Sequence, residues 1–265
     1  MTPQNYYARR RAWHRQEVDV GLVLELARAE RAYQPRLGVR KLYHLIGVEL
    51  QAAGVKMGRD RLFSELRKAG LLVERKPSEW PRTTNFDPAL PLFKNLIKRR
   101  SGTRRNQVWV ADITYIRTQE GFMYWGLITD QWSRKIVGFH LGESLATGGV
   151  LKALTMALKG LSPGERPIHH SDRGCQYASH VYVQVVEQAG LKMSMTEKNH
   201  GAENALAERV NGILKQEYCL DANFESRRAA RQATVEGIHL YNYRRPHTAL
   251  QLRTPGMVHD NAANH

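Results

Sequence analysis

Three carboxylates stand out by their surroundings. Asp172 lies in HHSDRG, Glu208 follows 36 positions later in NALAERVNGILK, and Asp112 sits in the run VWVADITYI. Hard divalent cations take carboxylate oxygens. Three such acids on separate elements, in a chain of formal net charge +15, point to metal ions held against a nucleic-acid phosphate. Phosphodiester cleavage needs an attacking oxygen made nucleophilic, a five-coordinate phosphorus stabilised and a leaving oxygen neutralised. Two Mg²⁺ ions about 4 Å apart can do all three, so magnesium is the expected cofactor, with Mn²⁺ a workable substitute.

Most acids on a protein are plain surface charges, and Asp130, Glu120 and Glu143 are assigned to that class. Glu203, five residues before Glu208, is the rival for the third position. Glu208 is preferred because Glu203 falls near a helix start, where a carboxylate serves unsatisfied N–H groups. At about 100° per residue, Leu206, Val210, Ile213 and Leu214 share one sector of that helix. Asn204, Glu208, Asn211 and Lys215 occupy the opposite one. Asn204, Asn211 and Lys215 are therefore candidate DNA contacts, Lys215 following a backbone whose scissile phosphate lies at the acids. His169 and His170 are read as hydrogen-bonded structural residues, and Arg173 as a phosphate contact or a solvated cation.

The elements that must position these groups are legible in the periodicity. Residues 17 to 31, 39 to 52 and 58 to 69 carry apolar residues at three- and four-residue spacing, with Gly54 and Gly70 after the last two, which predicts a small helical domain. In its third segment Leu62, Phe63 and Leu66 form the expected buried stripe. Arg59, Arg61, Arg67 and Lys68 project elsewhere, as candidate DNA contacts. Prolines and the run KRRSGTRR mark residues 77 to 105 as a basic linker after a domain of residues 1 to 76. VWVADITYI, FMYWGLIT and KIVGFHL then read as three strands, followed by a helix in TGGVLKALTMALK, a strand into PIHHSD, a helix from Ser179 to Ala189, the strand LKMSMT and the helix carrying Glu208. This order resembles the ribonuclease-H-like arrangement, which implies an α/β core with a mixed five-stranded sheet and helices. It is expected over residues 106 to 220, with a C-terminal helix and tail over 221 to 265. In the first strand Asp112 shares a face with Val108 and Val110, where an unpaired carboxylate is costly and a cation would relieve it.

Composition agrees. The chain has 265 residues, 42% of them hydrophobic, enough for one good core and a smaller companion. Residues 1 to 105 hold 23 lysines and arginines against 10 acids, whereas 106 to 265 hold 17 against 15, so polyanion attraction is concentrated in the front end. No run approaches the roughly 18 apolar residues of a membrane span, and the opening lacks the apolar core of a signal peptide. The expected location is the cytoplasm. Cys175 and Cys219, 44 positions apart, suggest neither a disulfide framework nor a zinc site and are read as buried thiols.

Taken together, WVADITY, HSDRGCQY, NALAERVNGILKQE and YNYRRPHTALQLRTP resemble the DDE transposases and retroviral integrases, and more narrowly the second-reading-frame protein (OrfB) of the insertion-sequence-three family. RLGVRKLYHLI and GRDRLFSELRKAGL look like the helix-turn-helix-like domain that precedes the core there. The resemblance implies that Asp112, Asp172 and Glu208 are catalytic and metal-binding, and that the substrate is double-stranded DNA at element ends and target. It also implies metal-dependent strand cleavage and strand transfer, a homo-oligomer on DNA, and a bacterial, nucleoid-associated setting. An upstream-frame partner (OrfA), or a fusion with it, is implied as well; this chain lacks that segment and is expected to do the core chemistry but find element ends poorly. The alternatives are a DNA-binding regulator or inactive remnant, and a nuclease acting on RNA–DNA hybrids. At Glu203 the chain departs from most relatives, which carry Asp. Tyr241, Tyr243, Arg244, Arg245 and His247 either offer DNA contacts or fold the last helix back on the core.

Overall fold

A computed structural model describes residues 3–73, 91–98, 101–197 and 203–261, apart from the side chains of 11–17. The chain divides into two units, Met1–Pro77 with Pro246–Leu252, and Ser78–Arg245 with Arg253–His265. Most of the expected linker therefore lies outside the described residues.

The first unit holds α1 (Pro3–Tyr33), α2 (Val39–Ala52) and α3 (Arg59–Lys68). Their apolar stripes meet in a core that includes Val23, Ala27, Leu42, Ile46, Leu50, Leu62 and Leu66. Gly54 and Gly70, at φ +70° and +66°, turn the chain out of α2 and α3 in the left-handed conformation that glycine adopts without strain. Phe63 departs from the expected buried stripe. Leu62 and Leu66, one turn apart, fill the core, which leaves Phe63 39% exposed on the flank. There the Arg67 guanidinium stands 4.8 Å above its ring.

The second unit is built on β1 (Val108–Thr118), β2 (Gly121–Asp130), β3 (Ile136–Gly142), β4 (Ile168–Ser171) and β5 (Lys192–Met195). Their order in the sheet is β3-β2-β1-β4-β5, with the two-residue β6 (Asn223–Phe224) pairing β1. The first three strands form an antiparallel meander, and β4 and β5 join parallel to β1, so the sheet is mixed, as expected. Helices α4 (Thr147–Lys159), α5 (Cys175–Ala178), α6 (His180–Gln188), α7 (Ala205–Glu217), α8 (Arg227–Tyr243) and α9 (Pro255–Asn261) complete it. One sheet face buries Trp109, Ala111 and Ile128 against Val150, Leu154, Tyr182 and Val186 of α4 and α6. The other buries Met123, Trp125 and Leu127 against Val210, Leu214, Ile238 and Tyr241 of α7 and α8. α4 lies so close to β3 that a side chain at Gly138 would run into the Ala153 carbonyl. Only glycine permits that approach.

One expectation at the surface is revised. Asp130 is fully buried, accepting hydrogen bonds from Asn106 N (2.8 Å), Ser133 N (2.8 Å) and Ser133 Oγ (2.6 Å). It closes the β2–β3 turn, and a carboxylate with three donors tolerates burial. Glu120 and Glu143 are surface charges, serving Arg227 and Arg231 at the start of α8. The C-terminal alternative resolves towards packing for Tyr241 and Arg245, whereas Tyr243 and Arg244 stay exposed. Arg245 is 2% exposed, bidentate to Glu217 at 2.7 and 2.8 Å, and close to the ring of buried Tyr241. Cys175 and Cys219 are free and half-buried.

Candidate functional site

Strand register explains why two acids from distant parts of the chain become neighbours. β1 and β4 run parallel with Val108 beside Ile168 and Val110 beside His170. The same register carried two residues further sets Asp112 beside Asp172, just past the end of β4, on strands spaced about 4.8 Å apart. Apolar alternation on β1 puts Asp112 on the face that receives α7, the helix bearing Glu208. Three carboxylates are thus brought to one face of the sheet, beside the end of β4.

Their charges interact. The Asp112 carboxyl is enclosed by protein although the residue as a whole is half-buried. That burial, followed by the charges of Asp172 and Glu208, pushes its pKa up to about 8, against hydrogen bonds from the Ile113 backbone and Asn211. Glu208, on the exposed side of α7, is raised by desolvation first and by Asp172 second. Among the described residues no three acid, imidazole or thiol side chains are drawn together as a formed cation cage, so the acids meet at electrostatic range. The donors are nonetheless hard oxygens, and their unrelieved repulsion suits a divalent cation.

α7 is registered on β1 by a polar ladder. Asn204 Nδ2 donates to the Ala111 carbonyl (3.0 Å), Asn211 Nδ2 to Asp112 Oδ2 (2.7 Å), and Lys215 Nζ to Thr114 Oγ1. Lys215 Nζ also stands 4.5 Å from the Tyr115 ring centre. The expected polar face of α7 exists, but Asn204, Asn211 and Lys215 turn it inward. Lys215 is only 3% exposed, and burial lowers its pKa to about 8 against the pull of Asp112. The helical wheel placed these residues correctly on one side; it could not tell that a neighbouring strand would cover that side. Glu208 alone of the four remains exposed.

Around Asp172 the turn is tight. Gly174 N donates to Asp172 Oδ1 at 3.0 Å, and a Cβ there would meet that oxygen at 3.0 Å and Gln176 Oε1 at 3.1 Å, which favours glycine in SDRG. Arg173 Nε donates to the Thr196 carbonyl (2.7 Å), clasping the ends of β4 and β5. His169 and His170 are buried, as expected of structural histidines. His169 Nε2 pairs with the Tyr182 hydroxyl (2.8 Å) and His170 Nδ1 with Ser194 Oγ (2.9 Å). Burial first holds both neutral, lowering their pKa values to about 3 and about 4.

In the N-terminal unit, Arg59 is exposed and paired with Asp60 (3.0 Å), and Lys68 with Glu65 (3.0 Å). Arg61 is half-buried, with one guanidinium nitrogen lacking a hydrogen-bond partner among the described residues. A cavity of about 480 Å³ opens between the starts of α2 and α3, lined by Arg40, Arg59, Asp60, Phe63, Leu72 and Val73 among others. Sequence reasoning missed Arg40, which periodicity does not set apart.

The fold and acid arrangement define an integrase-type, ribonuclease-H-like core. Residues 102–200 and 189–255 each match an integrase core domain family. The chain is 38% identical over 89% of its length to the insertion element IS600 31 kDa protein of Shigella sonnei, covering 86% of that protein. It is 31% identical over 92% of its length to the transposase for IS629 of the same organism, covering 83% of it. A simian T-cell lymphotropic virus intasome structure shares the fold with TM-score 0.50 and 18% identity, over 84% of this chain and 74% of that one. The chain belongs to the insertion-sequence transposases of the DDE transposase and integrase superfamily, in the OrfB-like group of the insertion-sequence-three family. No helix among the described residues is long and apolar enough to cross a membrane.

Proposed function

We propose that this chain cuts and joins DNA strands at the ends of a bacterial insertion sequence, with Asp112, Asp172 and Glu208 as its catalytic acids. The observation that supports this reading is the register of β1 on β4, which brings Asp112 level with the end of β4 where Asp172 follows, on the sheet face that receives the Glu208 helix. Divalent cations, Mg²⁺ or Mn²⁺ and two in number, would be held by these three side chains and would supply activation of the attacking oxygen and neutralisation of the leaving one. The remaining work belongs to the protein. Asn211 orients the Asp112 carboxylate through one oxygen, and the ladder through Asn204 and Lys215 sets where along β1 Glu208 stands. Water serves as nucleophile for cleavage and the freed 3′-hydroxyl for joining, so no covalent protein–DNA link is needed.

DNA is drawn by the basic N-terminal unit, where Arg59, Arg67 and Lys68 are exposed; Arg61 contributes less because it is half-buried. Lys215, Asn204, Asn211 and Arg173 act on DNA indirectly, by holding the acid-bearing elements. An assembly of two or more copies on DNA, and the upstream-frame partner OrfA, complete the reading, since two element ends require two active sites. The test is Mg²⁺- or Mn²⁺-dependent nicking and joining of duplexes carrying the element's own ends, comparing wild type with Glu208→Gln, with and without the partner. Activity lost in the variant supports the reading. Tight DNA binding without any nicking, partner present, would replace it with a DNA-binding regulator.

A further inference from the structure

Residues 91–98, expected to be part of a linker, behave as a strap across the core. Their burial alternates, with Phe93, Asn95 and Ile97 turned inward and Leu92, Lys94, Leu96 and Lys98 outward, and the segment ends in a turn at residues 96–98. Phe93 packs on the cluster beneath α4 and α6. Ile97 joins Val108 and Val110 of β1 and Ala207 of α7 in a small apolar cluster of its own. Ala207 directly precedes Glu208, and Val110 stands two residues before Asp112. The strap thus touches the two elements that carry those acids.

Its polar groups reach the rest. Leu96 N donates to Ser194 Oγ (2.9 Å), the hydroxyl that also meets His170 Nδ1 on β4. Asn95 N donates to Glu197 Oε1 (3.1 Å), Lys98 Nζ pairs with Glu197 Oε2 (2.8 Å), and Asn95 Nδ2 donates to Glu203 Oε2 (2.9 Å). That same Glu203 oxygen accepts from Glu197 N, and Asn95 Oδ1 accepts from Ile97 N (3.1 Å), fixing the amide's orientation. Glu203 therefore gathers the strap, the end of β5 and the approach to α7 onto one oxygen.

We propose that Glu203 is a positioning residue, acting through Asn95 so that the strap sets the placement of Glu208 against Asp112 and Asp172. This rests on the three-acid reading above and gives one Glu203 oxygen, which accepts from two N–H donors, the task of holding the strap. The physical demand is ordinary: a misplacement of about 1 Å in a reacting group can cost about 10²-fold in rate.

The experiment uses the full chain with Asn95→Ala, Glu203→Ala, the double variant, Glu203→Gln and Glu208→Gln, read in two ways. Amide hydrogen exchange over the first two turns of α7 should quicken about tenfold in both alanine variants. The Gln variant, which keeps an accepting oxygen, should hold the wild-type rate. In metal-dependent nicking, kcat should fall about 10²-fold with KM for DNA unchanged, and the double variant should be no worse than either single one. Glu203→Gln should stay within a few-fold of wild type while Glu208→Gln is inactive. Unchanged exchange in the alanine variants, additive losses, or a Glu203→Gln variant as inactive as Glu208→Gln would each overturn the proposal. If wild type itself does not nick, the functional reading fails, and the exchange measurement alone decides the strap.

Discussion

Charged side chains are used in opposite ways in the two units. In the N-terminal unit three cations of α3 stand outside: Arg59 and Lys68 are exposed members of ion pairs, and Arg67 rests on a partly exposed ring, whereas Arg31 and Arg61 are partly buried. In the core, Lys215 and Arg245 are nearly sealed and tied to Thr114, Tyr115 and Glu217. Exposed pairs contribute little to folding and are screened by salt, so those side chains stay available to a polyanion. Buried polar groups must be satisfied where they are, and the same bonds that satisfy them fix geometry. Basic residues in this chain thus divide by environment into those that can attract a ligand and those that hold the framework of a reaction.

The sharpest test removes the acids. Asp112→Asn or Glu208→Gln is expected to lower strand cleavage by about 10³-fold or more, with duplex binding by the basic unit unchanged, measured by nicking and by fluorescence anisotropy on one preparation. A parallel loss of DNA binding would erase the division of labour. The next effect concerns folding. Arg245→Ala removes the bidentate partner of Glu217 and opens a cavity beside Tyr241, and should cost about 3 kcal/mol, seen as a lower denaturant midpoint. Arg59→Ala, at an exposed pair, should leave that midpoint where it was.

Acid pH probes the core from another side. His169 stays neutral in the fold down to about pH 3 because burial opposes its charge. In the unfolded chain it takes up a proton below its ordinary pKa of about 6.5. The unfolded state therefore binds more protons between these values, so this contribution to stability is complete above about pH 6.5 and is lost as pH falls towards 3. A His169→Asn variant, unable to titrate, should show a shallower fall in unfolding free energy across that window than wild type. Equal slopes would mean that the imidazole is reached by solvent and charges freely.

Much of this was legible in the sequence, and the failures share a cause. The run VWVADITYI placed an acid on the buried face of a strand, which the structure bears out in Asp112, and TGGVLKALTMALK gave α4 to the residue. Such patterns record what each element does alone. Lys215 and Asn211 were put on the correct side of α7, yet whether that side met water or β1 depended on a strand about 100 residues away. Asp130 looked like surface charge because its donors, Ser133 in the β2–β3 turn and Asn106 ahead of β1, are brought together only by the folded sheet. The strap was hidden because prolines and a charge run outweighed the two-residue alternation in Phe93, Asn95 and Ile97.

The smallest expected effect bears on the exposed half of the comparison. Each lysine or arginine that neutralises a phosphate releases condensed counterion, so its removal lowers the slope of log affinity against log salt by about one. Arg67→Ala and Lys68→Ala should each do this while weakening binding to all duplex sequences alike. Lys215→Ala should leave the slope unaltered and instead disturb cleavage, because its ammonium is engaged by Thr114 and Tyr115. A slope change at Lys215 equal to that at Lys68 would show that α7 lifts from β1 when DNA arrives, making the buried ladder a contact in waiting.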